Sequence, residues 1–389
     1  MAGTDITSLL EAIQKKISAV DSSASTGDLL RLLSAVRQSG SSTVFDFEED
    51  EFPNLLDGAD DLQMLAFNRN SKKLYFQKDR WLAKVTPPPP YYQGTNFGYS
   101  SGGYTNSPTN GARYDIIDKF PFSADANATD VGDLTLNRSG ASGQSSSEHG
   151  YSCGGRHMPA TPTPSGPLTN IIDKFPFASD GNATDVGDLI TVYSYVGGGN
   201  SSTTHGYSCG GDGSGPQRNR INKFPFASDA NATYTANLTY VRIANAGQSS
   251  SENGYVSGAI STATGIDKFP FAADVNATDV GDLTVARAAC GQMSATHGYS
   301  SGGDPTGTID KFPFASDDNA TDVGDLTVGR GGGAGQSSAS FGFISGGWNA
   351  PPGQPSFNVI DKFPFANDTN VTDVGDLTFA RGAPAGQQY

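Results

Sequence analysis

The stretch IIDKFPFASDGNATDVGDL runs from Ile171 to Leu189, and close copies begin near Ile116, Ile221, Ile266, Ile309 and Ile360. Sixfold recurrence of one cassette constrains the fold more than any other feature, because a unit of this size cannot bury its own apolar residues and must stack on its neighbours. A second motif alternates with the first: GYSSGG at Gly98 and Gly298, GYSCGG at Gly150 and Gly206, GYVSGA at Gly254 and GFISGG at Gly342. The step from the cassette lysine to the next aromatic residue is nearly constant, 32 residues from Lys119 to Tyr151, 33 from Lys174 to Tyr207 and 31 from Lys268 to Tyr299. The step from the closing residue of the second motif to the next lysine varies from 8 (Gly303 to Lys311) to 19 (Gly155 to Lys174). Each unit therefore reads as a fixed frame carrying one free loop.

Four short strands are expected per unit, over GQSS, GYSSGG, IDKFPF and DVGDLTxxR. Six four-stranded units suit a β-propeller. A solenoid is the rival architecture, but it needs distinct capping repeats, and here the terminal units look like the middle ones. The final stretch GAPAGQQY, after Arg381, matches GGGAGQSS after Arg330. A seventh copy of the first strand thus begins and stops, and it is expected to dock beside GYSSGG at Gly98 and close the ring. YYQGTN, at residues 91–96, competes for the same slot.

The double glycine after an aromatic strand, followed by I-D-K-F and L-T-x-x-R, resembles kelch-type propeller repeats over about residues 91–389. The chain departs from that pattern before the fourth strand, where DVGDL stands in place of the usual tryptophan. The resemblance implies a binding scaffold, and in some members catalysis. The expected fold is mainly β, a six-bladed kelch-like β-propeller with a small N-terminal α+β anchoring region.

Within the cassette, Phe120 and Phe122 point the same way along a strand, and such pairs are expected to fill the space between blades. Pro121 cannot donate to a ladder, so a bulge is expected there. Asp125, Asn127 and Asp130 form D-x-N-x-x-D. Short polar side chains of this kind hold turns, and their oxygens also make each blade a candidate calcium site, although the spacing departs from an EF-hand loop. Asp133 is expected to pair with Arg138 across a turn, as Asp282 with Arg287, Asp325 with Arg330 and Asp376 with Arg381. His149, His205 and His297 precede the second-motif glycines on separate units, which suits turn hydrogen bonding better than one metal centre. The NAT sequons, such as Asn127 and Asn182, matter as glycan acceptors only in a secreted eukaryotic protein.

The region before the repeats reads differently. Residues 1–40 suggest two amphipathic helices, with Ile6, Leu9, Leu10, Ile13 and Ile17 on one and Leu29, Leu30, Leu33 and Val36 on the other. Neither is long enough to be stable alone, so an anchoring or oligomerising role follows. Residues 41–86 contain MLAFNRNSKKLYFQKDRWLAKV, which predicts a small meander of three strands with turns at Asn68 to Lys72 and Gln77 to Arg80. This stretch resembles a small β-meander of bacteriophage fibre and adaptor proteins. Residues 87–92 form a proline-rich spacer, and the propeller spans 91–389.

The net charge of −15 and the lack of a long basic tract argue against a nucleic-acid partner. No apolar run is long enough for a membrane helix, and no basic leader precedes an apolar core. Cys153 and Cys209 occupy a serine-sized place that other repeats fill with Ser101 or Ser301, so a disulfide is not expected. No catalytic residue, cofactor or metal site is assigned, because the polar residues follow repeat symmetry whereas catalysis needs one preorganised site. The expected binding residues lie in the longest variable loops: Arg156, His157 and Met158 in one, Trp348 and Phe357 in another. Joined to the meander's resemblance, this gives a non-enzymatic bacteriophage virion protein, tail- or fibre-associated, a homo-oligomer and specifically a homotrimer. Its N-terminal region would grip other virion proteins and its propeller would meet a host-surface glycan or protein. The alternatives are a capsid decoration protein on the capsid surface, a cytoplasmic kelch-type adaptor, and a glycan-active enzyme with paired carboxylates in the central channel.

Overall fold

A computed structural model of the chain describes residues 93–389 apart from 106–111, 158–165, 195–197, 214–217, 260–262, 304–305 and 350–355, together with the backbone of four strands before residue 86. The chain divides into two compact units, Met1–Pro88 and Pro89–Tyr389. In the first, Leu65–Asn68, Lys73–Lys78 and Trp81–Val85 form the expected antiparallel meander, and Val44–Phe45 adds a parallel fourth strand beside Leu65–Asn68. The second turn is tighter than expected, with Lys78 already paired to Trp81. The two expected helices lie outside the described residues.

The second unit is a six-bladed β-propeller. Its fourth blade shows the plan: Ala246–Ser249 nearest the axis, then Asn253–Ser257, Gly265–Pro270 and Thr278–Asp282, all antiparallel. Blade two carries a fifth strand, Asp212–Gly213, against the extended outer strand Thr184–Ser194. The ring closes as the C-terminal repeat fragment predicts. Ala385–Gln388 is the innermost strand of blade one and pairs with Phe97–Ser101. The described start of the rival segment lies elsewhere: Gly94 N donates to Ser337 O at 2.7 Å, and Gln93 Nε2 to Met293 O at 3.1 Å.

Alternation decides which cassette residues enter the core. In the third strand of blade one, Ile117 and Phe120 are buried with Asp118, and Lys119 is half-exposed. Phe122 stacks on Phe343 of the preceding blade at 4.7 Å and Phe120 meets the same ring at a tilt at 5.7 Å, and Tyr99 in turn meets Phe175 and Phe177 at 5.6 and 5.0 Å. The same three-ring cluster recurs at every junction, so the aromatics fill the inter-blade space as expected. The bulge does not sit at the proline. Pro121 ends its strand opposite Phe97, where a lost donor costs little, and the register shift falls between Ile117 and Asp118, leaving Val131 as the extra residue on the outer strand.

At the axis the six innermost strands meet through glycine. A Cβ added to Gly143, Gly199, Gly247, Gly291, Gly335 or Gly386 would lie between 2.1 and 2.5 Å from the carbonyl oxygen of the preceding member of the set, and Gly143 meets Gly386 to complete the circle. The Cα hydrogens fill that space instead, a geometry in which Cα–H···O contacts add weak attraction. A methyl group anywhere in the circle forces two blades apart. Gly247→Ala is therefore expected to lower stability by about 1–3 kcal/mol. Gly181→Ala, where a Cβ meets nothing within 4 Å, is expected to leave it unchanged. Thermal and urea unfolding of the two variants check the contrast.

Candidate binding face and central channel

The polar residues of the cassette are consumed in joining blades. Lys119 Nζ reaches Asp180 of the next blade at 2.8 Å, and the equivalent pairs continue around the ring until Lys362 meets Asp125. Asn127 Oδ1 accepts the backbone N–H of Asp376 at 3.0 Å, and each of the other five turn asparagines does the same for the blade before it. Asp130 turns back to its own strand and accepts from Gly132 N at 3.2 Å. The three side chains of D-x-N-x-x-D thus hold three separate partners, two of them on the preceding blade. The threonine of the NAT sequence serves the strand as well, with Thr129 Oγ1 donating to Lys119 O at 3.5 Å.

The expected pairing of Asp133 with Arg138 is wrong. Arg138 is fully buried and pairs with Asp173, the aspartate of the next cassette, at 2.9 Å. The same carboxylate accepts from Thr135 N at 2.9 Å and Thr135 Oγ1 at 2.7 Å. Arg242–Asp267, Arg287–Asp310, Arg330–Asp361 and Arg381–Asp118 repeat the arrangement. A buried carboxylate is tolerated only with such a full complement of donors. At the junction of blades two and three the threonine is Ile190, the arginine Tyr193 and the aspartate Asn222. All three polar members change together, so no uncompensated charge is left inside.

The strands run so that the variable loops, between second and third strands, leave one face together with the links that carry L-T-x-x-R. The cassette turns occupy the opposite face. The described ends of the loops pair with the links. Arg156–His157 lies against Arg138–Ser139, and His157 Nδ1 stands 3.1 Å from Asn137 O. Trp348 bridges Gly331 and Ser356, and a Cβ on Gly332 would sit 1.6 Å from its ring. Trp348 and Phe357 share one loop and are half-buried rather than exposed, while Arg156 and His157 belong to another blade. Met158 lies outside the described residues. What the loop reading missed is the links themselves: Ile190, Val241, Val285, Val328 and Phe379 are 39–50% exposed on five successive links. The available signal was an apolar residue at or within two places after the threonine position of the link, hidden because alternation there looked like one more strand.

The innermost strands enclose a central channel. Its cavity measures about 100 Å³ and is lined mainly by glycine, alanine and serine, with Trp348 at the loop face and Met293 near the other end. Gln93 is seated on Met293 O at that far end. The three cysteines are free and buried, and burial raises the thiol pKa of each.

On the turn face, His149, His205 and His297 close Ser-x-x-His turns, as His149 N does by donating to Ser146 Oγ at 2.9 Å. Partial burial, then the neighbouring cassette lysine, lowers the pKa of each. Two other blades place Phe97 and Phe341 there, under Lys119 and Lys362 at 4.4 and 5.2 Å. A depressed histidine pKa means that the unfolded chain binds protons first. The histidine contribution is therefore complete above the ordinary histidine range and is lost as pH falls through the folded value. The melting temperature is expected to fall between about pH 7 and pH 5, and a H149F/H205F/H297F variant is expected to flatten that slope in scanning calorimetry.

The buried pairs give a second test. Arg242→Ala strands Asp267 and is expected to cost about 3–5 kcal/mol. Asn222→Asp alone is expected to destabilise, and I190T/Y193R/N222D together to recover most of the loss in urea unfolding.

No family model matches this sequence, and no curated protein matches it, so the six-bladed architecture stands on the strand pairing and the closed ring of inter-blade contacts.

Proposed function

We propose that the protein is a non-catalytic binding platform that meets its partner through the loop face, and that it serves as a tail- or fibre-associated component of a bacteriophage virion. The observation that carries the platform reading is the division of labour in the repeat. The cassette lysine, the first aspartate and the asparagine of the turn, and five buried arginine–aspartate pairs are engaged between blades, while length variation and five exposed apolar link residues fall together on one face. Apolar exposure repeated on one face suits an interaction surface. The virion reading rests on the N-terminal meander and its resemblance to fibre and adaptor proteins. Gln93, the first described residue of the propeller, lies on the face opposite the loops.

Purified particles are expected to contain the chain at a few copies each, in multiples of three, by quantitative mass spectrometry. Its presence only in the soluble fraction of infected cells would overturn the virion reading and leave the platform reading standing. For the platform itself, V285D/V328D is expected to weaken partner binding at least about 30-fold, the scale of interface hot spots, without shifting the melting temperature. Unchanged binding in surface plasmon resonance would remove the loop face from the interface.

A further inference from the structure

The outer strands of five blades present the same acidic edge. Thr129–Asp133 carries Asp130 and Asp133, and the sequence T-D-V-G-D recurs at Thr184, Thr278, Thr321 and Thr372. In each, the first aspartate accepts the backbone N–H of the following glycine, so the edge is both charged and self-capped. Charged edges of this kind keep sheets from pairing. On blade one the carboxylates crowd: partial burial, with Asp115 and Asp130 close by, raises the pKa of Asp133.

Blade three reverses this pattern. Its outer strand is Thr233–Asn237, reading TYTAN, with Tyr234 and Asn237 where the others have aspartate. Tyr234 is 47% exposed, and its hydroxyl accepts from Asn237 Nδ2 at 2.9 Å. Opposite Asn237 in the register stands Arg220, where other blades have Ile116, Ile171, Gly265, Thr308 or Val359. The Arg220 guanidinium lies over the Tyr234 ring at 5.2 Å, and among the described residues no carboxylate forms an ion pair with it. Val275, 51% exposed, sits on the neighbouring turn, next to the Asn276 that holds Asn237 N. A molecule of net charge −15 thus carries one stretch of perimeter that is cationic, aromatic and apolar.

We propose that this blade-three edge is a self-association surface, with Arg220 and Tyr234 of one copy receiving the acidic outer strand of a second copy. The occupant follows from charge complementarity. Every copy supplies five T-D-V-G-D edges and one cationic edge, whereas two acidic edges brought together set aspartate against aspartate. A planar guanidinium backed by an aromatic ring is well suited to a carboxylate. The contact is heterologous, so it builds rings or open chains rather than a two-fold dimer.

Sedimentation velocity of the full chain tests it, comparing the wild type with R220I/Y234D/N237D, which installs residues that other blades carry at these places. Tyr234→Asp alone serves as a second variant should the triple one lose its melting transition. The wild type is expected to show at least a doubling of weight-average mass over the variant at about 50 mM salt. That difference is expected to vanish at about 500 mM, where the screening length falls to a few ångströms. Equal masses for wild type and variants at both salt concentrations overturn the proposal. So does a mass difference that persists or grows with salt, which would mark an apolar contact through Tyr234 and Val275.

Discussion

The propeller depends on six glycines touching at its axis. With a carbonyl oxygen so close to each missing Cβ, the inner strands approach to backbone contact, and the radius of the ring follows. Once the inner radius is set, each blade must fan outward and the gap between neighbours must widen. The side chains track that widening. Backbone meets backbone at the glycines, and Gln144 Nε2 reaches Tyr207 O of the next blade at 2.9 Å. Farther out the paired phenylalanines and the tyrosine fill the gap, and the lysine–aspartate pair spans the solvent side. The cassette is a radial section through one junction, and the chain needs six copies because a ring of six blades has six junctions.

Every one of these contacts runs from one blade to the next, and the last closes on the first. Gln336 Nε2 donates to Tyr99 O and Gln387 Nε2 to Tyr151 O, so the C-terminal strand joins the circle on the same terms as the others. A closed circle of identical contacts leaves no blade with an unpaired side. The cost is that buried charge must be matched at each junction. The joint replacement of threonine, arginine and aspartate by Ile190, Tyr193 and Asn222 shows that matching is local. Removing the arginine alone would have left a carboxylate with only the threonine donors, and the chain carries a neutral amide there instead.

How much of this was legible depends on how far apart in sequence the partners stand. Strand positions, the closing strand and the aromatic filling could be read from periodicity within one unit. The partner of Arg138 could not, because a local reading pairs it with Asp133, five residues away, whereas Asp173 is 35 residues on. The correct pairing was nonetheless written in the covariation of residues 190, 193 and 222, which differ from the other repeats as a set. The D-x-N-x-x-D turn was legible in part, since Asp130 bonds its own backbone as local capping predicts. Oxygen-rich turns suggest local capping or a cation, but Asn127 bonds Asp376, 249 residues away. The proline bulge failed on a local point, since Pro121 closes its strand and never confronts a ladder partner that needs its hydrogen.

In a molecule whose constant residues are spent on holding the ring, specificity has to come from departures from the repeat. The departures are not scattered. Loop lengths and the half-buried Trp348 break the symmetry of one face. Gln93 and Met293 break it at the opposite mouth, where the other innermost strands end in Ser145, Ser201, Ser249, Ser337 and Gln388. Arg220, Tyr234 and Asn237 break it on the perimeter of one blade. A substitution that merely drifted would be expected at positions where nothing is at stake, yet Tyr234 and Asn237 stand where the five other blades all carry aspartate. Three directions, along the axis in both senses and sideways, are thereby marked on an otherwise regular ring of blades.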